Sequence, residues 1–357
     1  AQYLFKQFQA LRSCTPYISL GQFPTPIKKC ESLGHALSHS NIFIKEDDKT
    51  GKSGLYGGNK VRKLEFLLAD AIQKGARTII TCGGVGTNHG LATVCYAREL
   101  GFECILLLTY QPASPVVAHN LLLDRYFGAN ILVFPDFQAR NIQLNEFLKD
   151  NVVYFIPVGG SNALGVLGYV NAAFELRSQI EQGELPEPDV IYVPIGSCGT
   201  VAGLLLGLSL SGIKSRVVAV AIEPELVPGA LESKLKTLFV QANQFLHDLC
   251  SCVSVVEFPE SQFKICWDYC GPEYGVWLDS TKRAMELFKE CESVVLEGTY
   301  SAKAAAALVA DVEEGKVEKD LNVLFWNTYC GLDFSHLVSA VDYKELPVEV
   351  HGYFEVV

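Results

Sequence analysis

Apolar residues gather in short runs along the chain, separated by stretches long enough to hold a helix. Residues 78–82, 104–108 and 130–134 are three such runs in the first half. None alternates cleanly between apolar and polar positions, so each reads as a strand covered on both faces, the habit of parallel sheets. After the acidic, proline-containing stretch 182–188 the rhythm resumes, with 190–194, 217–222 and 323–326 as further strands. The pattern predicts an α/β fold with two sheets of mostly parallel strands. A helix from 63 to about 74 is signalled by Leu64, Leu67, Leu68 and Ala71, with Gly75 as its stop. That start places Lys60 on a loop or first turn. Over 239–270 helix and strand signals overlap, and neither is predicted.

Composition narrows the classes. With 49% hydrophobic and 19% charged residues among 357, the chain has apolar matter for one large core or two adjoining ones. A formal net charge of −11 repels polyanions, so nucleic acid is not an expected partner. No run reaches the roughly 18 apolar residues of a membrane-spanning helix. The first residues lack a basic region followed by an apolar stretch, so a protein neither membrane-bound nor exported is expected. Twelve cysteines include no pair of Cys-x-x-Cys knuckles, which argues against a metal site. Several, such as Cys104, sit inside apolar runs as small hydrophobes, a usage that fits a reducing compartment, the cytoplasm.

Three small-residue loops carry the candidate chemistry. Gly196, Ser197, Cys198, Gly199 and Thr200 follow a strand and precede an apolar helix from about Val201. Such a loop lets backbone amides converge on an anion at a helix start, with Ser197 and Thr200 adding hydroxyls. It reads as a phosphate cup or, in isolation, as a tight turn with a hydroxyl cap. Its spacing is not the dinucleotide fingerprint, which disfavours a nicotinamide dehydrogenase, and no Gly-Lys-Ser/Thr ending suits a nucleoside triphosphate.

In the second loop, Gly57, Gly58 and Asn59 lead into Lys60. A buried lysine loses its charge readily, and only the neutral amine attacks an aldehyde. A lone glycine-flanked lysine is otherwise a solvated loop residue, the reading that suits Arg62 and Lys63 better. The third loop, 83–90, opens a helix from about Leu91. There Thr87, Asn88 and the helix-end amides suit a substrate carboxylate, and His89 suits proton exchange near neutral pH, unless the loop is only an N-capped helix start. Tyr274 and Tyr300 each stand beside a loop or helix start, where a phenol either packs or reacts.

Several segments recur in one order: Gly57-Gly58-Asn59-Lys60-Val61-Arg62-Lys63, Pro157-Val158-Gly159-Gly160-Ser161-Asn162, Gly271-Pro272-Glu273-Tyr274-Gly275 and Thr299-Tyr300-Ser301-Ala302-Lys303. With these the chain resembles the fold-type II pyridoxal-phosphate enzymes, in the branch of D-cysteine desulfhydrase and 1-aminocyclopropane-1-carboxylate deaminase. The likeness runs from about Leu20 almost to the end. It implies a two-domain fold like that of the tryptophan synthase β chain, with three-layer α/β/α sheets. A smaller domain, 62–168, would be inserted into a larger cofactor domain of 1–61 and 169–357, and a homodimer is implied.

The resemblance further implies that Lys60 holds the aldehyde of pyridoxal 5'-phosphate as a Schiff base and that Gly196, Ser197, Cys198, Gly199 and Thr200 bind its phosphate. Asn88 matches the asparagine beside the ring hydroxyl, Thr87 the serine near the substrate carboxylate, and Tyr274 and Tyr300 the two active-site tyrosines. Asn59, Ser301 and Thr328 join the cofactor contacts, and His89 joins Thr87, Asn88 and the tyrosines around a small amino acid.

Two departures bear on specificity. Gly86-Thr87-Asn88-His89 stands where the family reads Gln-Ser-Asn followed by His or Gln, and the arginine often found just beyond is absent from Gly90-Leu91-Ala92. After Tyr300 the deaminase branch carries a glutamate facing the pyridine nitrogen, whereas Ser301 offers only a hydroxyl, as in the desulfhydrase branch. A carboxylate keeps that nitrogen protonated and makes the ring a strong electron sink, and a thiolate leaves without one. The expected reaction is therefore α,β-elimination from a small β-substituted amino acid to a 2-oxo acid and ammonia, with Lys60 as base. The alternatives are the deaminase, or a protein that keeps the cofactor without this turnover.

Overall fold

Ten strands make two sheets in the computed structural model, which describes residues 3–52, 54–225 and 227–355. In chain order they are β1 (Ile27–Lys29), β2 (Ile42–Glu46), β3 (Thr78–Gly84), β4 (Glu103–Thr109), β5 (Asn130–Phe134), β6 (Val153–Ile156), β7 (Val190–Ile195), β8 (Arg216–Ala221), β9 (Phe263–Cys266) and β10 (Val323–Asn327). The larger sheet has the order β1-β2-β10-β7-β8-β9 and the smaller β5-β4-β3-β6. Every pairing is parallel except the antiparallel edge of β1 on β2. The long apolar runs dictate this arrangement. All six residues of β7 are buried, because helices cover both faces of its sheet.

The helices are α1 (Tyr3–Gln7), α2 (Leu11–Cys14), α3 (Glu31–Ala36), α4 (Lys60–Gln73), α5 (Asn88–Glu99), α6 (Pro115–Tyr126), α7 (Phe137–Phe147), α8 (Ala163–Glu181), α9 (Gly199–Ser211), α10 (Ala230–Leu249), α11 (Asp279–Glu292), α12 (Ser301–Glu313), α13 (Ser335–Val338) and α14 (Gly352–Glu355). Helix α4 begins at Lys60, three residues before the expected start, and stops at Gly75 with φ +68 as its periodicity required. In the ambiguous stretch 239–270, α10 continues to Leu249 and β9 follows at the sheet edge. Among the described residues no helix is long and apolar enough to cross a membrane.

Two expectations are corrected. Arg62 and Lys63 are not solvated loop residues; each is 1% exposed. Arg62 reaches Asp47 at 2.6 Å and Glu175 at 2.9 Å, and Lys45 reaches Glu175 at 2.6 Å. Tyr169 and the Trp326 indole also donate to Asp47. The cluster thereby joins β2 and the turn after it to α4, α8 and β10, and a buried charge group is tolerated because every member is paired. The cysteines are also not all thiols. Cys250 and Cys252, Cα atoms 5.2 Å apart beyond the end of α10, form a disulfide, while the other ten are free. A Cys-x-Cys spacing is no metal knuckle, but an extended link brings its two sulfurs within bonding reach.

Candidate active site

The carboxyl ends of β3, β7 and β10 open on a shared cleft of about 640 Å³. This is where parallel α/β sheets place their ligands, since each strand there gives way to a loop and a helix N-terminus. Lys60, Asn59, Thr87, Asn88, His89, Gly196, Ser197, Cys198, Thr200, Tyr274, Tyr300 and Thr328 all line it. Gly199 opens α9 at its edge, and Ser301 lies behind the wall, fully buried.

Lys60 is brought into the cleft by close backbone packing. Gly58 has φ +92, and a β-carbon there would lie 2.8 Å from the Thr328 carbonyl, which accepts from the Asn59 N–H at 3.0 Å. Only glycine combines that conformation with that approach. The Lys60 amine donates to Asn59 Oδ1 at 3.2 Å, and Asn59 Nδ2 donates to Thr200 Oγ1 at 3.1 Å, so one amide side chain links the lysine to the first turn of α9. Burial lowers the Lys60 pKa to about 8, and the Glu297 carboxylate opposes that shift.

The loop before α9 has the form of an anion cradle. Cys198 takes the left-handed conformation with φ +72, an uncommon one for a side-chain-bearing residue, and turns the chain sharply from β7 into α9. Ser161, from the segment before α8, bridges to Ser197 Oγ at 2.8 Å and accepts from the Gly199 N–H at 3.2 Å. A β-carbon at Gly159 would collide with the Ser197 hydroxyl, so that glycine keeps the cradle open. Lys63 projects to the same place and donates to the Gly159 carbonyl at 3.0 Å, with its pKa pushed far down by burial and then by Lys60. First-turn amides, two hydroxyls and a buried amine are the donor set a phosphate monoester needs. Neither Ser161 nor Lys63 was assigned a role from the sequence, although both belong to motifs that carry the resemblance.

The third loop is an N-cap and more. Thr87 accepts from the Gly90 N–H at 3.2 Å and starts α5. Asn88 Oδ1 accepts from Tyr56 OH at 3.2 Å and from Asn120 Nδ2 at 3.0 Å. With its oxygen used twice, the Asn88 side chain, which lines the cleft, keeps an Nδ2 donor with no hydrogen-bond partner among the described residues. His89 does not exchange protons near neutral pH. Burial holds its pKa well below 6.5, with Lys60 and Lys63 adding to the shift. Thr81 gives its only hydroxyl proton to the Ile156 carbonyl at 2.8 Å, so the 2.9 Å contact with His89 has Nε2 as donor and fixes the neutral tautomer.

Across the cleft, the hydroxyls of Tyr274 and Tyr300 meet at 2.8 Å, their rings edge to face. Burial raises both phenols, so they act as neutral donors and not as phenolates. Behind Tyr300, the Ser301 hydroxyl accepts from the Glu297 N–H at 3.0 Å and donates to the Glu297 carbonyl at 3.4 Å. Its hydroxyl is thus engaged by the main chain. The carboxylate of Glu297 stands in the cleft wall instead, accepting from the amides of Thr299, Tyr300 and Ser301 at 2.6 to 3.0 Å. This capping of α12 from within the preceding loop had no sequence signal, because Glu297 lies four residues before the helix it serves.

An anion cradle, a buried lysine and an amide donor in one cleft together fit one cofactor. Residues 18–328 match the family described as pyridoxal-phosphate dependent enzyme. The chain belongs to that family. D-cysteine desulfhydrase of Yersinia enterocolitica is 33% identical over 327 residues, covering 87% of this chain and 94% of the relative. A putative 1-aminocyclopropane-1-carboxylate deaminase of Thermotoga maritima is likewise 33% identical, over 321 residues, covering 87% and 95%. Among solved structures, an ACC deaminase homologue superposes with a TM-score of 0.76 at 31% identity, covering 93% of this chain and 98% of that one. This pyridoxal-phosphate dependent enzyme therefore has the α/β fold and the cofactor that its sequence led one to expect.

Proposed function

We propose that this enzyme catalyses α,β-elimination of a small β-substituted amino acid resembling D-cysteine, yielding a 2-oxo acid, ammonia and the β-leaving group. The carrying observation is the hydroxyl at residue 301, engaged by the main chain of Glu297, where the deaminase branch has a carboxylate. The D-cysteine desulfhydrase relatives, 33% identical to this chain, support the same substrate class.

Pyridoxal phosphate, when bound, supplies the electron sink that acidifies the α-hydrogen of the amino acid. Lys60 is the attachment point for its aldehyde, and Gly196, Ser197, Cys198, Gly199, Thr200, Ser161 and Lys63 hold its phosphate. Asn88 donates to its ring hydroxyl, and Asn59 and Thr328 fix the lysine's backbone. The lowered pKa of Lys60 gives a neutral amine for taking the α-proton onto Nζ. Tyr300, hydrogen-bonded to Tyr274, donates a proton toward the departing thiolate. Thr87, with the first amides of α5, orients the carboxylate, and His89 shapes the floor as a neutral ring. The released enamine then hydrolyses in water to the 2-oxo acid and ammonia.

A second reading, the cyclopropane deaminase, draws on Glu297, whose carboxylate stands in the cleft wall. A keto-acid assay on D-cysteine, L-cysteine, β-chloroalanine and 1-aminocyclopropane-1-carboxylate separates the two. The β-substituted substrates are expected to react and the cyclopropane to remain. Rapid ring opening would transfer the assignment to the deaminase, and a bound cofactor with no keto acid from any of them would leave a binding protein.

The assembly and its setting complete the proposal. Residues 62–168 form the smaller domain between 1–61 and 169–357, supported by the smaller sheet lying wholly within 78–156. Two chains associate, supported by the exposed apolar side chains Val295 and Leu332, the latter next to Gly331, whose β-carbon would lie 3.0 Å from Val295. The cytoplasm is the proposed location, supported by ten free cysteines.

A further inference from the structure

Gln111 lies in the link between β4 and α6 and lines the cleft. Its carboxamide is laid across the third loop, where Oε1 accepts from the Gly86 N–H at 3.0 Å. It fits there because residues 84 and 86 have no side chains. A β-carbon at Gly84 would collide with Oε1, and one at Gly86 would lie 3.0 Å from Nε2. The partner fixes which end of the amide is which, since an N–H requires the oxygen. Nε2 is the free end and lies between the third loop and the Tyr274 loop, where a β-carbon at Gly275 would be 3.8 Å from it. Nε2 has no hydrogen-bond partner among the described residues.

The backbone of Gln111 is held from the far end of the chain. Tyr353 OH donates to the Gln111 carbonyl at 2.7 Å and accepts from the Gln111 N–H at 3.3 Å. Tyr353 belongs to α14, which packs on α6. A free donor is thus placed between two loops of the cleft by a helix that contributes nothing else to it.

Beyond Thr87 and the first amides of α5, the side-chain donors near the third loop are already committed. Asn88 offers Nδ2 to the cofactor ring, Asn120 Nδ2 is spent on the Gly86 carbonyl and Asn88, and no arginine follows Gly90. An amino-acid carboxylate must be met by neutral donors. We propose that Gln111 is a substrate-recognition residue whose Nε2 donates to the carboxylate of the bound amino acid, with Tyr353 as the positioning residue that holds it. The inference rests on the reading of the cleft as an amino-acid site.

The test is a spectral titration of the holoenzyme with D-alanine, which has no β-leaving group, compared with KM and kcat on D-cysteine. Gln111→Ala should weaken D-alanine binding about tenfold or more, the range for a hydrogen bond to a charged group, and raise KM with little change in kcat. Gln111→Glu is the sharper variant. It keeps an oxygen for the Gly86 N–H but replaces the donor with a carboxylate, so affinity should fall at least as far while the cofactor spectrum stays unchanged. Tyr353→Phe should move affinity the same way by a smaller factor. Unmodified D-alanine affinity in Gln111→Glu would overturn the inference alone, leaving Gln111 as a brace for the loop. No spectral response to any amino acid in the unmodified holoenzyme would overturn the amino-acid reading, and this inference with it.

Discussion

At Lys60 burial and charge pull in opposite directions. Burial favours the neutral amine and Glu297 the ammonium, leaving the pKa at about 8. Capture of pyridoxal phosphate by the apo-protein should accelerate as pH rises through about 8, followed by the visible absorbance of the bound cofactor. Replacing Glu297 with Gln removes the opposing charge, so the midpoint of that profile should move to lower pH; an unmoved midpoint would detach Glu297 from Lys60. The same shift has a stability consequence. Between about 8 and the ordinary value of 10.5 the unfolded chain binds a proton at this lysine that the folded one does not, so this group's contribution favours folding increasingly as pH rises through that window. Tyr300→Phe should lower kcat by about a hundredfold, the lower end for loss of a proton donor, with cofactor absorbance unchanged.

Which of these residues could be read in advance follows from how each is placed. Lys60, Thr200 and Asn88 announce themselves because small residues and helix starts mark their loops. Glu297, Ser161 and Gln111 do not, because they act across 38 residues or more, or through backbone amides that carry no letter in the sequence.

Among the elements, the buried cluster of Arg62, Asp47, Glu175 and Lys45 ties α4 to β2 and α8. Arg62→Leu leaves two carboxylates in the interior with one remaining cation, and should destabilise the fold by about 3–5 kcal/mol in chemical denaturation. A loss under ~1 kcal/mol, the value of a surface pair, would contradict the burial. The cluster also explains which strands were missed. β2 is buried throughout yet carries Lys45 and Glu46, charges that argue against a core strand until Glu175 arrives from 130 residues away. β1, β6 and β9 are short edge strands of three or four residues, too brief to set a periodicity. The six strands read in advance are β5 and the interior strands other than β2, where apolar runs are longest. Helix α4 starts at Lys60 because its first turn is held by Gly58 and Thr328 rather than by a capping side chain.

For the whole molecule, alternating apolar runs and crossover lengths were sufficient for a parallel α/β architecture with two sheets, since that pattern has few other solutions. How the sheets share a cleft was not written in any local pattern; it depends on contacts between segments far apart in sequence, as Tyr353 meets Gln111 across 242 residues. A homodimer should sediment at twice the 39.1 kDa of the chain, and a single-chain mass at micromolar concentration would contradict it. The reaction itself is tested most directly by measuring sulfide and 2-oxo acid together from D-cysteine, with the holoenzyme and with Lys60→Ala. Elimination centred on Lys60 predicts equal amounts of the two products from the holoenzyme and neither from Lys60→Ala. Products from Lys60→Ala at the unmodified rate, or 2-oxo acid without sulfide, would contradict it.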